Sequence, residues 1–241
     1  MARPTAALLI GAVLMVAAPA RSQDMVNVYL MDGGAFNNAL NASTIVSRTK
    51  ALLGDQARWP AGRPVRTPPR SGPASAKSLR FVSTPGATAI PAMAAAYPAS
   101  RRTEIASVFQ QLLGKFGGIE RMFGQPDHDL PTALSLYVAT AYEAVTGTQV
   151  TPQQARPLIA QMRGLLQGEP GVASAPDAEK QKLYEQLAVM GMFTSVATME
   201  LKQKPNPAAS DRLKASARTN LAQLGLDPDR IRFSEAGLSA R

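Results

Sequence analysis

Between Ser100 and Leu224 the apolar residues recur at intervals of three and four. Prolines, glycines and capping residues cut this run into pieces of roughly ten to twenty-five residues. That combination leaves little room for anything except packed helices. One stripe runs through Ile105, Val108, Phe109, Leu112, Leu113, Phe116, Ile119 and Met122 or Phe123, with Ser100 as its cap and Gly117-Gly118 weakening or bending its end. Asp129 and Pro131 open the next, whose apolar positions Leu134, Tyr137, Val138, Ala141, Tyr142 and Val145 stop at Gly147. Thr151-Pro152-Gln153-Gln154 has the form of a capping box and leads through Leu158, Ile159, Met162, Leu165 and Leu166 to Gly168. A long segment from Pro176-Asp177 to about Gln203 is apolar on more than one side and is expected at the centre. Asn206-Pro207 opens the last long helix, with Leu213, Ala217, Leu221 and Leu224 inward; Ile231 and Phe233 then pin the tail to the body. Alternating apolar runs are scarce, so the expected fold is all-α, a bundle of about five helices over residues 79–238.

The front of the chain has a different character. Arg3 precedes an uncharged run, Thr5 to Ala18, whose apolar centre is shorter than the roughly 20 residues that cross a bilayer, and small residues follow at Ala18, Ala20 and Ser22. This is the pattern of a cleavable secretory signal over residues 1–22, with cleavage after Ser22 or Ala20. No later stretch reads as a membrane span. The absence of cysteine removes disulfides, thiol nucleophiles, cysteine–zinc sites and lipid attachment at an N-terminal Cys, so the exported product is expected to be periplasmic or secreted and not a lipoprotein.

Residues 23–54 read as a partly ordered segment: Val26-Asn27-Val28-Tyr29-Leu30 is strand-like, and Gly33-Gly34 with Asn37, Asn38 and Asn41 is turn chemistry. Residues 55–78 read as a disordered, basic, Pro-rich linker. Its Arg58, Trp59, Arg63, Arg66 and Arg70 suit contact with an anionic cell-wall polymer, a lipid surface or an acidic envelope protein; the plainer reading is a solubilising spacer. Residues 1–80 carry ten Lys/Arg against three acids, whereas residues 81–241 carry sixteen against fourteen. The excess of positive charge therefore belongs to the arm, which argues against a nucleic-acid-binding body.

Few residues offer chemistry. His128, the sole histidine, stands in Asp127-His128-Asp129 immediately before a helix; adjacent residues seldom converge on one ion, and Asp129 is already the cap. With one His and no Cys, the common triads and metal sites are not indicated, and neither Gly-Gly pair has phosphate-loop spacing. No metal or cofactor is expected. Glu143 interrupts an apolar helix beside Tyr142 and is a candidate acid if buried, or an ordinary solvated edge if not. The ten methionines read as packing rather than as a copper site.

Leu79-Arg80-Phe81-Val82-Ser83-Thr84-Pro85, Tyr137-Val138-Ala139-Thr140-Ala141-Tyr142-Glu143-Ala144 and the closing Leu224-Gly225-Leu226-Asp227-Pro228 together resemble an uncharacterised family of secreted bacterial proteins built around a helical domain of unknown function. The resemblance covers about residues 79–238 and implies export from a Gram-negative cell, with no activity attached. Three functions stay open on these residues. A non-enzymatic binding or interaction module of the envelope would show an exposed apolar patch. A hydrolase using Glu143 or the Asp127-His128-Asp129 cluster would show a pocket with raised pKa values. A chaperone-like holder would need Met- and Leu-rich faces.

Overall fold

The computed structural model describes residues 79–167 and 170–241. The signal, the 23–54 segment and the basic linker lie outside them, as do Arg58, Trp59, Arg63, Arg66 and Arg70. The helices are α1 (Ile90–Ala95), α2 (Arg102–Met122), α3 (Leu130–Thr146), α4 (Pro152–Gln167), α5 (Pro170–Ala173), α6 (Asp177–Gln203) and α7 (Pro207–Gln223). An antiparallel hairpin, β1 (Ile231–Ser234) and β2 (Gly237–Ala240), follows. The fold is all-α apart from this hairpin.

The centre is α3, not the longer α6 that the sequence pointed to. No charged side chain occurs from Leu130 to Tyr142, and fourteen of the helix's seventeen residues are buried. A helix apolar all round has no face to give to solvent, so its neighbours surround it. It packs most extensively on α6 and also on α7 and α4, while α2 packs chiefly on α1 and α6. A glycine of α6 permits the closest of these contacts. At the crossing with α6, Gly191 lies so near that a Cβ there would stand 3.1 Å from the backbone nitrogen of Tyr137. α6 keeps its charged residues for a different purpose. Asp177, Gln181 and Glu185, one helical turn apart, accept hydrogen bonds from the backbone N–H groups of Val82, Thr84 and Ala89, strapping residues 82–89 along the helix.

Several local expectations hold. Asp129 caps α3 by accepting from the Thr132 N–H at 3.1 Å, and Gly147 ends that helix at φ +71°. Thr151 and Gln154 form the reciprocal capping box, and Asn206 caps α7. Others do not. α2 runs unbroken through Gly117-Gly118, held on either side by buried Phe116 and Ile119. Ser100 lies in a 3-10 turn, and α2 starts after it with no side-chain cap. At Thr84-Pro85, an N-cap-then-Pro pair that can open a helix, the chain instead makes a turn closed by Ala87 N–H donating to the Thr84 carbonyl, with Gly86 at φ +78°, where a positive φ favours glycine.

The tail is pinned as expected, although through a hairpin that the sequence did not suggest. Ile231 is fully buried, and Phe233 meets Tyr142 edge to face at 4.7 Å. Gln161 of α4 treats β2 as a neighbouring strand would: its Oε1 accepts from the Leu238 N–H at 2.7 Å, and its Nε2 donates to the Leu238 carbonyl at 3.2 Å. A four-residue strand whose polar groups are completed by a glutamine has no sequence periodicity long enough to read.

Candidate functional site

Two carboxylate-bearing places flank α3. At its N-terminal end, Asp129 is wholly buried and takes Arg163 of α4 in a two-pronged pair, Nη1 to Oδ1 at 2.9 Å and Nη2 to Oδ2 at 2.8 Å. Arg163 also donates to Gln125 at 2.6 Å. Beside it, Glu120 of α2 is 1% exposed and accepts from the Asp129 N–H at 2.8 Å and the Tyr184 hydroxyl at 3.0 Å. Burial pushes the Glu120 carboxyl up to about 7 against the lowering effect of these hydrogen bonds. The Tyr184 phenol is raised well above its usual range, first by burial and then by the Glu120 charge.

His128 belongs to this end as a packing group. It turns the chain at φ +62° and stacks on Phe81, the rings 4.7 Å apart and 9° from parallel, while its edge meets Tyr184 at 5.8 Å. Asp127 is exposed, and its carbonyl accepts from Arg80. The three residues of the Asp127-His128-Asp129 cluster thus have three separate surroundings: solvent, an aromatic stack and an arginine. Among the described residues, no group of three His, Cys, Asp or Glu side chains is placed to hold a metal ion.

The other place is a pocket bounded by α2, α3, α4 and α6, with about 450 Å³ of empty space, part of it open to solvent. The cavity volume proper is only about 30 Å³, far below the roughly 300–1,000 Å³ usual for drug-sized ligands, so the pocket suits a small group at most. Its α3 wall is Thr132, Ser135, Leu136, Ala139, Thr140 and Glu143, one helix face at steps of three and four. Ile119, Phe123, Val150, Ala155 and Ile159 supply most of the opposite walls. The hydroxyls on the α3 wall are already committed: Ser135 donates to the Pro131 carbonyl at 2.7 Å and Thr140 to that of Leu136 at 2.9 Å. Committed hydroxyls leave a largely apolar lining.

Glu143 is the one titratable side chain in that lining. It is half-buried, and its Oε1 accepts from the Val150 N–H at 2.6 Å, tying the α3–α4 loop to the pocket rim. Burial pushes its carboxyl up to about 6; the Val150 hydrogen bond and the positive charge of Lys202 pull the other way. From Asp129 to Glu143 is fourteen residues of helix, about 21 Å at 1.5 Å per residue, so the two candidate carboxylates cannot act on one substrate atom.

With this arrangement in view, the profile of a family of unknown function, DUF6683, matches residues 1–241. The chain belongs to that family. Among curated proteins and among solved structures, none matches it. No helix of the described residues is long and apolar enough to cross a membrane.

Sequence reasoning missed Glu120, Tyr184, Arg163 and the pocket. For Glu120 a signal existed: it lies four residues after Phe116 and one after Ile119, on the inward face of its own stripe. The pocket had none, because its residues come from four helices whose crossing no single periodicity describes.

Proposed function

We propose that this protein is an exported, non-enzymatic binding module of the bacterial envelope, whose helical body receives an apolar group in the pocket alongside α3. The observation that carries this reading is a small, largely apolar pocket with one carboxylate at its rim. Val82 is the one large hydrophobic side chain that stands exposed among the described residues, so a broad apolar docking patch has no support there. Export rests on the charged and apolar pattern of residues 1–22. Arg58, Trp59, Arg63, Arg66 and Arg70 add an anion-seeking arm, whose attachment to anionic cell-wall polymer or lipid weakens as salt rises. The test is a thermal-shift panel of small apolar compounds on the full-length chain. Saturable stabilisation lost on filling the pocket supports the module, and a flat panel overturns it.

A hydrolase reading has one observation in its favour, the Glu143 carboxyl at about 6 on a pocket wall, in the range of a general acid. Against it, the lining supplies no second titratable group, and the hydroxyls of Ser135 and Thr140 are committed to backbone carbonyls. Turnover of cell-wall fragments by the wild type that disappears in Glu143→Gln would replace the binding reading with this one.

A further inference from the structure

Residues 80–89 contain neither helix nor strand, so their backbone N–H groups depend on partners elsewhere in the fold. On one side α6 supplies Asp177 for Val82 at 3.0 Å, Gln181 for Thr84 at 2.8 Å and Glu185 for Ala89 at 2.7 Å. On the other side Arg80 donates to the Asp127 carbonyl at 3.3 Å, and the Phe81 ring stacks on His128 and meets Tyr184 edge to face at 5.2 Å. The two halves of this strap are held unequally. Beyond the turn at Pro85-Gly86, buried Glu185 takes the Thr88 hydroxyl, the Ala89 N–H and the Gln181 amide together. Before that turn the polar contacts are exposed or half-buried, and Phe81 is the main anchor.

The loop beneath Phe81 also depends on its partners. His128 holds φ +62°, a left-handed backbone that disfavours a side chain. In that conformation the His128 and Asp129 N–H groups both donate to Glu120, and the Tyr184 hydroxyl is the third donor. Phe81 thus rests on two of the residues that complete the surroundings of a carboxyl 1% exposed. No cation balances Glu120 there. Arg163 of α4 is taken up by Asp129 and Gln125, and Asp129 itself adds like charge. Arg121 on α2 and Asp127 in the loop are exposed, and the His128 ring is taken up by its stack. On α6, Lys180 donates to the Ala173 carbonyl, Glu185 holds the strap, and burial together with the Glu120 charge keeps the proton on Tyr184. α1 has no titratable side chain.

We infer that residues 80–84 and the 124–129 loop form a latch released by ionisation of Glu120: the neutral carboxyl keeps the strap closed, and the charged one lifts it about the Pro85-Gly86 turn. Opening lets water reach a carboxylate that the closed form leaves with three hydrogen bonds and no counter-ion. Burial raises the Glu120 carboxyl from 4.5 to about 7 in the closed form, so the closed form has its full advantage below about pH 4.5 and loses it as pH rises through 7. In sequence the strap follows directly on the basic segment 55–78, so the latch sets where that segment is anchored. It operates whether or not the pocket beside α3 takes a ligand.

The test is amide hydrogen exchange of the full-length chain, read by NMR, with each rate divided by the intrinsic rate at the same pH. Thr84 N–H is the reporter, because its acceptor, the Gln181 amide, does not titrate. Its protection is expected to fall about fiftyfold between pH 5 and pH 8 and to level off above about pH 7. At every pH it should exchange faster than Val138 in the middle of α3, which opens only with the whole fold. Glu120→Gln keeps the acceptor and removes the charge, and should leave Thr84 protection flat across this range. His128→Asn, which tolerates a positive φ, removes the imidazole and should keep the wild-type pH profile. The latch is overturned if wild-type Thr84 protection does not change with pH, or if Thr84 is protected as strongly as Val138. It is equally overturned if the pH profile survives in Glu120→Gln or vanishes in His128→Asn. The wild-type profile alone decides the first two points without a variant that has to fold.

Discussion

The two ends of α3 carry acidic groups in opposite conditions. At the N-terminal end Asp129 has a capped N–H, the Thr132 hydroxyl and both prongs of Arg163, while Glu120 next to it has a backbone N–H and a phenol. Every one of those partners belongs to the protein. At the C-terminal end Glu143 has a single backbone partner and borders a small, largely apolar pocket. Buried polar groups that are fully satisfied join helices together, whereas a carboxylate left half-satisfied at a cavity mouth is available to something else. The difference teaches that a raised carboxyl pKa is not itself a sign of function here: Glu120 is raised further than Glu143, yet it is closed in by structure.

Breaking the satisfied end should have the largest effect. Arg163→Ala strands the Asp129 carboxylate, whose side chain is wholly buried, and is expected to cost about 3–5 kcal/mol in urea unfolding. A loss below about 1 kcal/mol would mean that Asp129 finds water or another donor.

Glu120→Gln sharpens the comparison through pH. Because the folded carboxyl is raised from 4.5 to about 7, its favourable contribution is complete below about pH 4.5 and is lost as pH rises through 7. Gln keeps an acceptor for the Asp129 N–H and the Tyr184 hydroxyl and never ionises. The variant should therefore match the wild type near pH 4.5 and exceed it at pH 8 by about 1–3 kcal/mol, read as melting temperature at the two pH values. A variant less stable than the wild type at pH 8 would show that the ionised form is the one the site was built to hold.

Gly147→Ala probes the turn that ends α3, just beyond Glu143. A Cβ there meets open space, so the cost is that of the left-handed backbone, about 1 kcal/mol, measured by chemical denaturation. The smallest effect is expected at the open end. Glu143→Gln retains an acceptor for Val150 and should change stability by less than about 1 kcal/mol at pH 8. A change as large as that of Arg163→Ala would make Glu143 a structural residue like Asp129 and remove the contrast.

Much of the scaffold was legible because it depends on short-range rules. Asp129 with Pro131, Thr151 with Gln154, Asn206 with Pro207 and Gly147 each act within one helical turn, and the structure uses all of them as their spacing suggests. Legibility failed where a partner lies far along the chain. Arg163 finds Asp129 across 34 residues, Tyr184 finds Glu120 across 64, and Gln161 finds Leu238 across 77. Nothing local marks those residues as partners. The candidate site divides the same way: Glu143 stood out as the acid in an apolar helix, while the pocket that gives it a setting did not.

By itself, then, the sequence determined the all-α class, the helix starts and stops, and a charge distribution that puts the basic excess ahead of the folded body. These follow from backbone geometry and periodicity, which act over a few residues. Only the tertiary structure decided that α3 rather than α6 is central, that Glu120 and Asp129 are closed in while Glu143 stays open, and that a small pocket forms where α2, α3, α4 and α6 meet. Those outcomes depend on how close helices can approach, and that is set by which side chains meet at each crossing, Gly191 against Tyr137 among them.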